Sequence, residues 1–222
     1  MIKLVAFDWN GTLLADTQTV VNATSIELNE LYGRKIGLQE YRREFVIPVR
    51  IFFINLGIGE KELDKNYKKS AAIFEREYEK RALRCRTRSG SRKLLEWLKS
   101  QNIKSAIFSN HEINGVLRQT ERLNITNFFD KILANNHMRD AYSIKGKEKR
   151  LIEYLKNQKI PHSEVLVIGD TDEEIIIGHD MGSKTVAITN GHSTTIRLRA
   201  AHPDFLINNL VEVIGIVKKL NS

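Results

Sequence analysis

The chain has 222 residues, 35 of them lysine or arginine against 27 aspartate or glutamate, for a formal net charge of +8. That length can bury one substantial core plus a small accessory unit without a covalent staple, and the single cysteine, Cys85, excludes an intramolecular disulfide and suits a reducing compartment. No apolar run reaches the roughly 18 residues of a membrane span, nothing at the amino end reads as a signal peptide, and the basic residues are interleaved with acids as on solvated helix faces, so the expectation is a cytoplasmic protein that binds neither membrane nor nucleic acid.

Leu4-Val5-Ala6-Phe7 is apolar without alternation, the pattern of a strand covered on both faces of a parallel sheet. Such a strand delivers Asp8 to its carboxyl end, where open parallel sheets keep their ligand crevice, and Gly11 permits the sharp turn that follows. Residues 16 to 84 then read as helix after helix. Val21, Leu28 and Leu31 share one face ahead of Gly33, and Leu38, Tyr41 and Phe45 mark a second helix. Pro48 opens a third, with Val49, Phe52, Phe53 and Leu56 at helical spacing before Gly57. A fourth and longest carries the stripe Leu63, Tyr67, Ala71, Phe74, Tyr78.

From about residue 85 short apolar strands alternate with helices, the signature of a doubly wound sheet. The spacing predicts strands over 105–108, 131–133, 165–168, 185–188 and 205–207, and helices near 91–100, 113–123, 147–157, 173–181, 194–200 and 209–220. The fold class is therefore α/β, a Rossmann-like doubly wound parallel sheet formed by residues 1–15 and 85–222, with an α-helical domain inserted over 16–84.

Polar residues stand at the ends of three of these strands. Asp8 follows the first, Ser109 and Asn110 the second, and Gly169-Asp170-Thr171-Asp172-Glu173-Glu174 the strand over 165–168. Each has a plain structural reading as a turn or a helix cap, and Lys145 alone is a solvated cation. The ordered set says more than its parts. Asp8-Trp9-Asn10-Gly11-Thr12, Ser109, a lysine 25 residues ahead of Asp170, and Gly169-Asp170 with Glu174 resemble the haloacid dehalogenase-like phosphohydrolase superfamily, in its phosphoglycolate-phosphatase-like branch with an α-helical cap.

The resemblance implies phosphoryl transfer from a small phosphorylated metabolite through an aspartyl phosphate. Asp8 would be the nucleophile, Lys145 the neutralising cation with Lys147 as runner-up, and Ser109 with the Asn110 backbone N–H the holders of the phosphoryl oxygens. Mg²⁺ would be held by Asp8, the carbonyl of Asn10 and Asp170, with Glu174 in an outer position. Thr12 would brace the loop.

Asn10 departs from the family pattern, in which an aspartate there acts as general acid and base. An amide cannot exchange that proton, and such help is worth roughly 10² to 10⁴ in rate. This keeps two other readings open: a catalytically weak relative that binds phosphorylated ligands, and a phosphonatase or dehalogenase type of hydrolase, the former needing a cap lysine among Lys61, Lys65, Lys68 and Lys69. Arg42, Arg43 and Arg50 are candidates for gripping a second anionic group on the substrate, and equally read as surface arginines, the plainer account for at least two of them. None of the six histidines has ligand spacing, so none is assigned to a metal.

Overall fold

The computed structural model describes residues 1–137, 140 and 146–222. Its first strand, Leu4–Phe7 (β1), is buried at every position, as its unbroken apolar run requires. The chain then leaves the sheet for four helices, Thr17–Tyr32 (α1), Leu38–Glu44 (α2), Val49–Asn55 (α3) and Glu60–Ala82 (α4). These bury a cluster of their own, in which Val21 and Leu28 of α1 meet Tyr41, Phe52 and Phe53, with Leu63 and Tyr78 from the stripe of α4. Gly33 ends α1 in the left-handed conformation at φ 65, and its N–H turns back to Asn29 and Leu28 as a carboxyl cap.

The two connections to this insertion run side by side. Ala15 N–H donates to the Arg86 carbonyl at 2.9 Å and Arg88 N–H to the Leu13 carbonyl at 2.8 Å.

The chain re-enters through Ser91–Ser100 (α5), and then alternates Lys104–Glu112 (β2), Ile113–Arg122 (α6), Lys131–Asn135 (β3), Lys147–Gln158 (α7), Val165–Gly169 (β4), Asp172–Met181 (α8), Lys184–Ile188 (β5), Thr195–Ala200 (α9), Phe205–Ile207 (β6) and Glu212–Asn221 (α10). The six strands form one sheet in the order β3-β2-β1-β4-β5-β6, each neighbouring pair parallel. Val5 and Phe7 face a cluster that includes Leu94 and Leu98 of α5 and Val213 and Val217 of α10. Leu4 and Ala6 face Leu151 and Leu155 of α7 and Met181 of α8. Both faces of β1 are therefore covered, as the sequence pattern anticipates.

The α/β class and the strand positions agree with the sequence reading except at β2. That strand runs on through Ser109 and Asn110 to Glu112, with a register shift between Phe108 and Glu112. Those two residues therefore lie within a strand instead of capping a helix; the cap of α6 is Glu112, whose carboxylate accepts from Gly115 N–H at 2.8 Å.

Glu27 of α1 is buried against α4, where it accepts a hydrogen bond from Ser70. Burial pushes its pKa from 4.5 up to about 8, so the folded chain holds it uncharged at neutral pH. Because the folded value lies above the unfolded one, its contribution to stability is full below 4.5 and is lost as pH rises toward about 8. Urea denaturation of Glu27→Gln is therefore expected to show a shallower decline in stability between pH 5 and 8 than the unchanged chain, and the greater stability of the two at pH 8. Parallel pH profiles would contradict a buried neutral carboxyl.

Candidate active site

The parallel register sets the site. Phe7 is level with Ile107 on β2 and with Ile168 on β4, so Ser109 and Asp170 each lie one step beyond the level of Asp8 on the two strands that flank it. The connections run from β1 outward to β2 and β3 and then return to β4 on the other side, which makes the end of β1 the switch point of the sheet.

Asp8 is buried there, and Nζ of Lys147 lies 2.6 Å from its Oδ1. The same Nζ bonds Glu174, stands 3.8 Å from Glu173 and sits 4.6 Å above the ring of Phe108. Burial alone would lower the pKa of Lys147, but the carboxylates of Asp8, Glu174 and Glu173 outweigh it and raise the value, so the side chain stays charged. Burial raises the pKa of Asp8, against the pull of Lys147. Lys145, the lysine favoured from the sequence, lies outside the described residues. The lysine brought to Asp8 is Lys147, in the first turn of α7.

Asp170 is fully buried and braced from two sides: Thr12 hydroxyl donates to Oδ1 at 2.7 Å and His192 N–H to Oδ2 at 2.6 Å. Thr12 thus acts on the second aspartate across the site. A side chain at Gly11, which has φ +74, would collide with the Asp170 carboxylate and the His192 ring, and one at Gly191 would strike the same carboxylate. Glu174 has both oxygens engaged, one by Lys147 and the other by the N–H and hydroxyl of Thr171 in a capping box at the start of α8. Ser109 Oγ accepts from His111 N–H at 3.1 Å, and Asn110 Nδ2 donates to Glu173 at 2.8 Å. Among the described residues, Oδ1 of Asn110, Nε2 of His111 and Nε2 of His192 are buried without a hydrogen-bond partner, and these residues line the cavity above Asp8.

Asn10 belongs to a second buried network that the sequence reading missed. Its Nδ2 donates to Asp16 Oδ2 at 2.6 Å and to Tyr78 at 2.9 Å, and the Tyr78 hydroxyl donates to the same Asp16 oxygen at 2.7 Å. The other Asp16 oxygen accepts from Gly11 N–H at 2.8 Å and lies 3.8 Å from His192 Nε2, whose Nδ1 pairs with the Tyr41 hydroxyl at 3.0 Å. Burial works against the charge of Asp16, but His192, Asn10 and Tyr78 hold its pKa below the ordinary value. The nearby aspartates in turn raise His192 in spite of its burial. Asp16 stands at the amino end of α1 without capping it, so its position reads from the sequence as an ordinary cap residue. Tyr78 reads as one more member of an apolar stripe, and His192 lies in a loop with no motif around it.

Arg42, Arg43 and Arg50 do not reach the site. Arg42 donates to the carbonyls of Gly191 and Asn190, Arg43 to Glu44, and Arg50 to Asp64 and Glu60. Lys61, Lys65, Lys68 and Lys69 are exposed on α4 and none lines the cavity.

Among the described residues no three histidine, cysteine, aspartate or glutamate side chains converge to hold a metal. Asp8 and Asp170, which raises the pKa of Asp8 by charge repulsion, remain as a pair of buried carboxylates, the first bonded to Lys147 and the second to Thr12 and the His192 N–H. That donor set suits Mg²⁺, which takes oxygen ligands, needs only one or two carboxylates and keeps several waters.

The family model described as haloacid dehalogenase-like hydrolase matches residues 5–188. The chain belongs to that family. Among its relatives are a pyrophosphatase PpaX from Bacillus mycoides, 22% identical over 225 residues with 100% of this chain and 99% of that protein covered, and a phosphoglycolate phosphatase from Aquifex aeolicus, 25% identical over 221 residues and 97% of each. The fold is shared with a predicted phosphatase from Clostridium acetobutylicum at TM-score 0.83 and 16% identity, covering 99% of both chains.

Removing Lys147, the one cation bonded to Asp8 among the described residues, should leave its partners as uncompensated buried charge. Lys147→Met is expected to cost about 3–5 kcal/mol of stability at pH 8. The loss should shrink as pH falls and the carboxylates protonate, read as the melting temperature of the metal-free protein against pH. A loss that does not vary with pH would contradict the charge argument.

Proposed function

We propose that this hydrolase is a Mg²⁺-dependent phosphohydrolase acting on a small phosphorylated metabolite, with Asp8 as nucleophile. The observation that carries the reading is the buried Asp8 carboxylate held by Lys147 through Oδ1, which leaves Oδ2 for phosphorus. In the first step a bond forms between Asp8 Oδ2 and phosphorus while the ester P–O bond breaks, and the leaving oxygen departs with the electron pair. In the second, water attacks phosphorus, the bond to Asp8 breaks, and phosphate leaves with the proton of that water passed to solvent. Ser109 and the Asn110 N–H would hold the phosphoryl oxygens through both steps, and Lys147 would offset the repulsion between carboxylate and phosphate. Mg²⁺, held by Asp8, Asp170 and the Asn10 carbonyl, would add positive charge against the developing negative charge.

Asn10 defines what the site lacks. With Nδ2 committed to Asp16 and Tyr78, its Oδ1 can accept a hydrogen bond from water but cannot take or give a proton. A leaving group that departs without protonation is therefore favoured. The same residue supports the second reading, a weak or inactive relative that binds phosphorylated ligands. Turnover of phenyl phosphate that needs Mg²⁺ and disappears in Asp8→Asn supports the phosphatase; saturable phosphate binding with no turnover supports the binder. No feature supports the phosphonatase, because none of the four candidate lysines lines the cavity.

A paired substitution tests Asn10 itself. Asn10→Asp alone sets two carboxylates against each other, one of which must hold a proton. Asn10→Asp with Asp16→Asn exchanges the partners and keeps the amide–carboxylate contact. The double variant is expected to hydrolyse glycerol phosphate about 10²-fold faster than the unchanged chain, with a much smaller gain on phenyl phosphate. Equal gains on both substrates, or none, would remove Asn10 as the limiting element.

A further inference from the structure

The space above Asp8 differs in character from its floor. The cavity of about 160 Å³ rises from a polar floor that includes Asp8, Ser109, Asn110 and Lys147 to a roof of inserted helices, where Val20, Phe45, Phe52, Phe53, Phe74 and Tyr78 make its walls. An apolar cavity of roughly 150 Å³ takes benzene; here the volume also includes the polar floor, where the phosphoryl group would sit. Among the described residues the lining includes one lysine, Lys147, already bonded to Asp8 and Glu174, and no arginine. At the end formed by α1 and α4 the wall carries Glu27 with Ser70 and Thr24 in place of any cation.

We propose that the substrate is an aryl phosphate, the phosphomonoester of an apolar phenol, whose ring occupies the cavity beneath the inserted helices. This rests on the phosphatase reading above and narrows it. A leaving group carrying a carboxylate or a second phosphate would have to shed its water against aromatic rings, with no basic partner beyond Lys147 among the described lining residues to replace that water. A ring instead finds edges and faces to pack on: Phe74 and Tyr78 stack at 5.6 Å and Phe45 lies edge-on to Phe52 at 5.6 Å. Burial keeps Glu27 uncharged at neutral pH, which makes that end of the cavity a hydrogen-bond donor to a ring substituent and no longer a repelling charge.

Asn10 points the same way by an independent route. Phenols ionise near ~10, as the tyrosine side chain does, so a phenoxide leaves without the proton that Asn10 cannot supply, whereas an alkoxide needs it. In the reaction the P–O bond to the ring oxygen breaks as the Asp8 bond to phosphorus forms, and the phenoxide takes a proton from water after leaving.

Aryl phosphates are intrinsically more reactive than alkyl phosphates, so the test reads binding apart from chemistry. Inhibition constants of phenylphosphonate, methylphosphonate and phosphonoacetate, none of which can be cleaved at the phosphoryl group, are measured with Mg²⁺ against phenyl phosphate hydrolysis. Phenylphosphonate is expected to bind at least tenfold tighter than either of the others. Phe74→Arg, a change in the partly exposed wall, is expected to weaken phenylphosphonate and strengthen phosphonoacetate. Phosphonoacetate binding as tightly as phenylphosphonate, or tighter, overturns the aryl assignment and leaves the phosphatase standing. If phenyl phosphate, phosphoglycolate and pyrophosphate all resist hydrolysis, the phosphatase reading falls, and the aryl assignment with it.

Discussion

Buried negative charge is the constraint around which the molecule is arranged. Asp8 and Glu174 line one pocket at the switch point of the sheet, and Asp170 and Asp16 are buried beside them. Carboxylates in such a place survive only when hydrogen bonds and cations hold them. Lys147 bridges two of them, Thr12 and the His192 N–H pin a third, Thr171 caps Glu174, and Asn10, Tyr78 and Gly11 N–H surround Asp16. The glycines obey the same demand. At 11 and 191 any side chain would occupy the space that the Asp170 carboxylate needs.

The braces come from distant parts of the chain. Arg88 donates to the carbonyls of Gly11 and Thr189 at 2.7 Å each, tying the loop after β1 to the loop after β5 that carries His192. Tyr78 reaches down from α4 and Tyr41 from α2, so the inserted helices complete the network on the core. The floor and the roof then divide the work. In the proposed reaction, charged groups on the sheet would serve the phosphorus, and apolar side chains on the helices would meet what is attached to it.

The elements were legible because their local signals agreed with the global arrangement. An unbroken apolar run gave β1, and helical spacing gave α4 with the stripe that does pack. The places of Asp8 and Asp170 just past the ends of β1 and β4 were legible from the buried apolar runs before them, although each also reads as a turn residue by itself and only the ordered set of motifs joined them. Of the two lysines the sequence offered, Lys147 is the one in the first turn of a helix that faces Asp8, and a basic run such as Lys145-Gly146-Lys147 carries no local sign of that; Lys145 lies outside the described residues. Asp16, Tyr78 and His192 were hidden for a different reason: each has a sufficient local explanation, as cap, core residue and loop residue, and only the fold reveals that they meet. The three arginines had two readings, an anion grip or plain surface charge, and their bonds to main-chain carbonyls and acidic neighbours favour the second.

The account stands on covalent participation by Asp8, and acid-quenched mass spectrometry addresses it most directly. The protein is mixed with phenyl phosphate and Mg²⁺, quenched within the first turnovers and digested. A peptide containing Asp8 heavier by one phosphoryl group, absent from Asp8→Asn, is the predicted result. Turnover that proceeds with the phosphoryl group on another residue, or with none on the protein at any quench time, would contradict it.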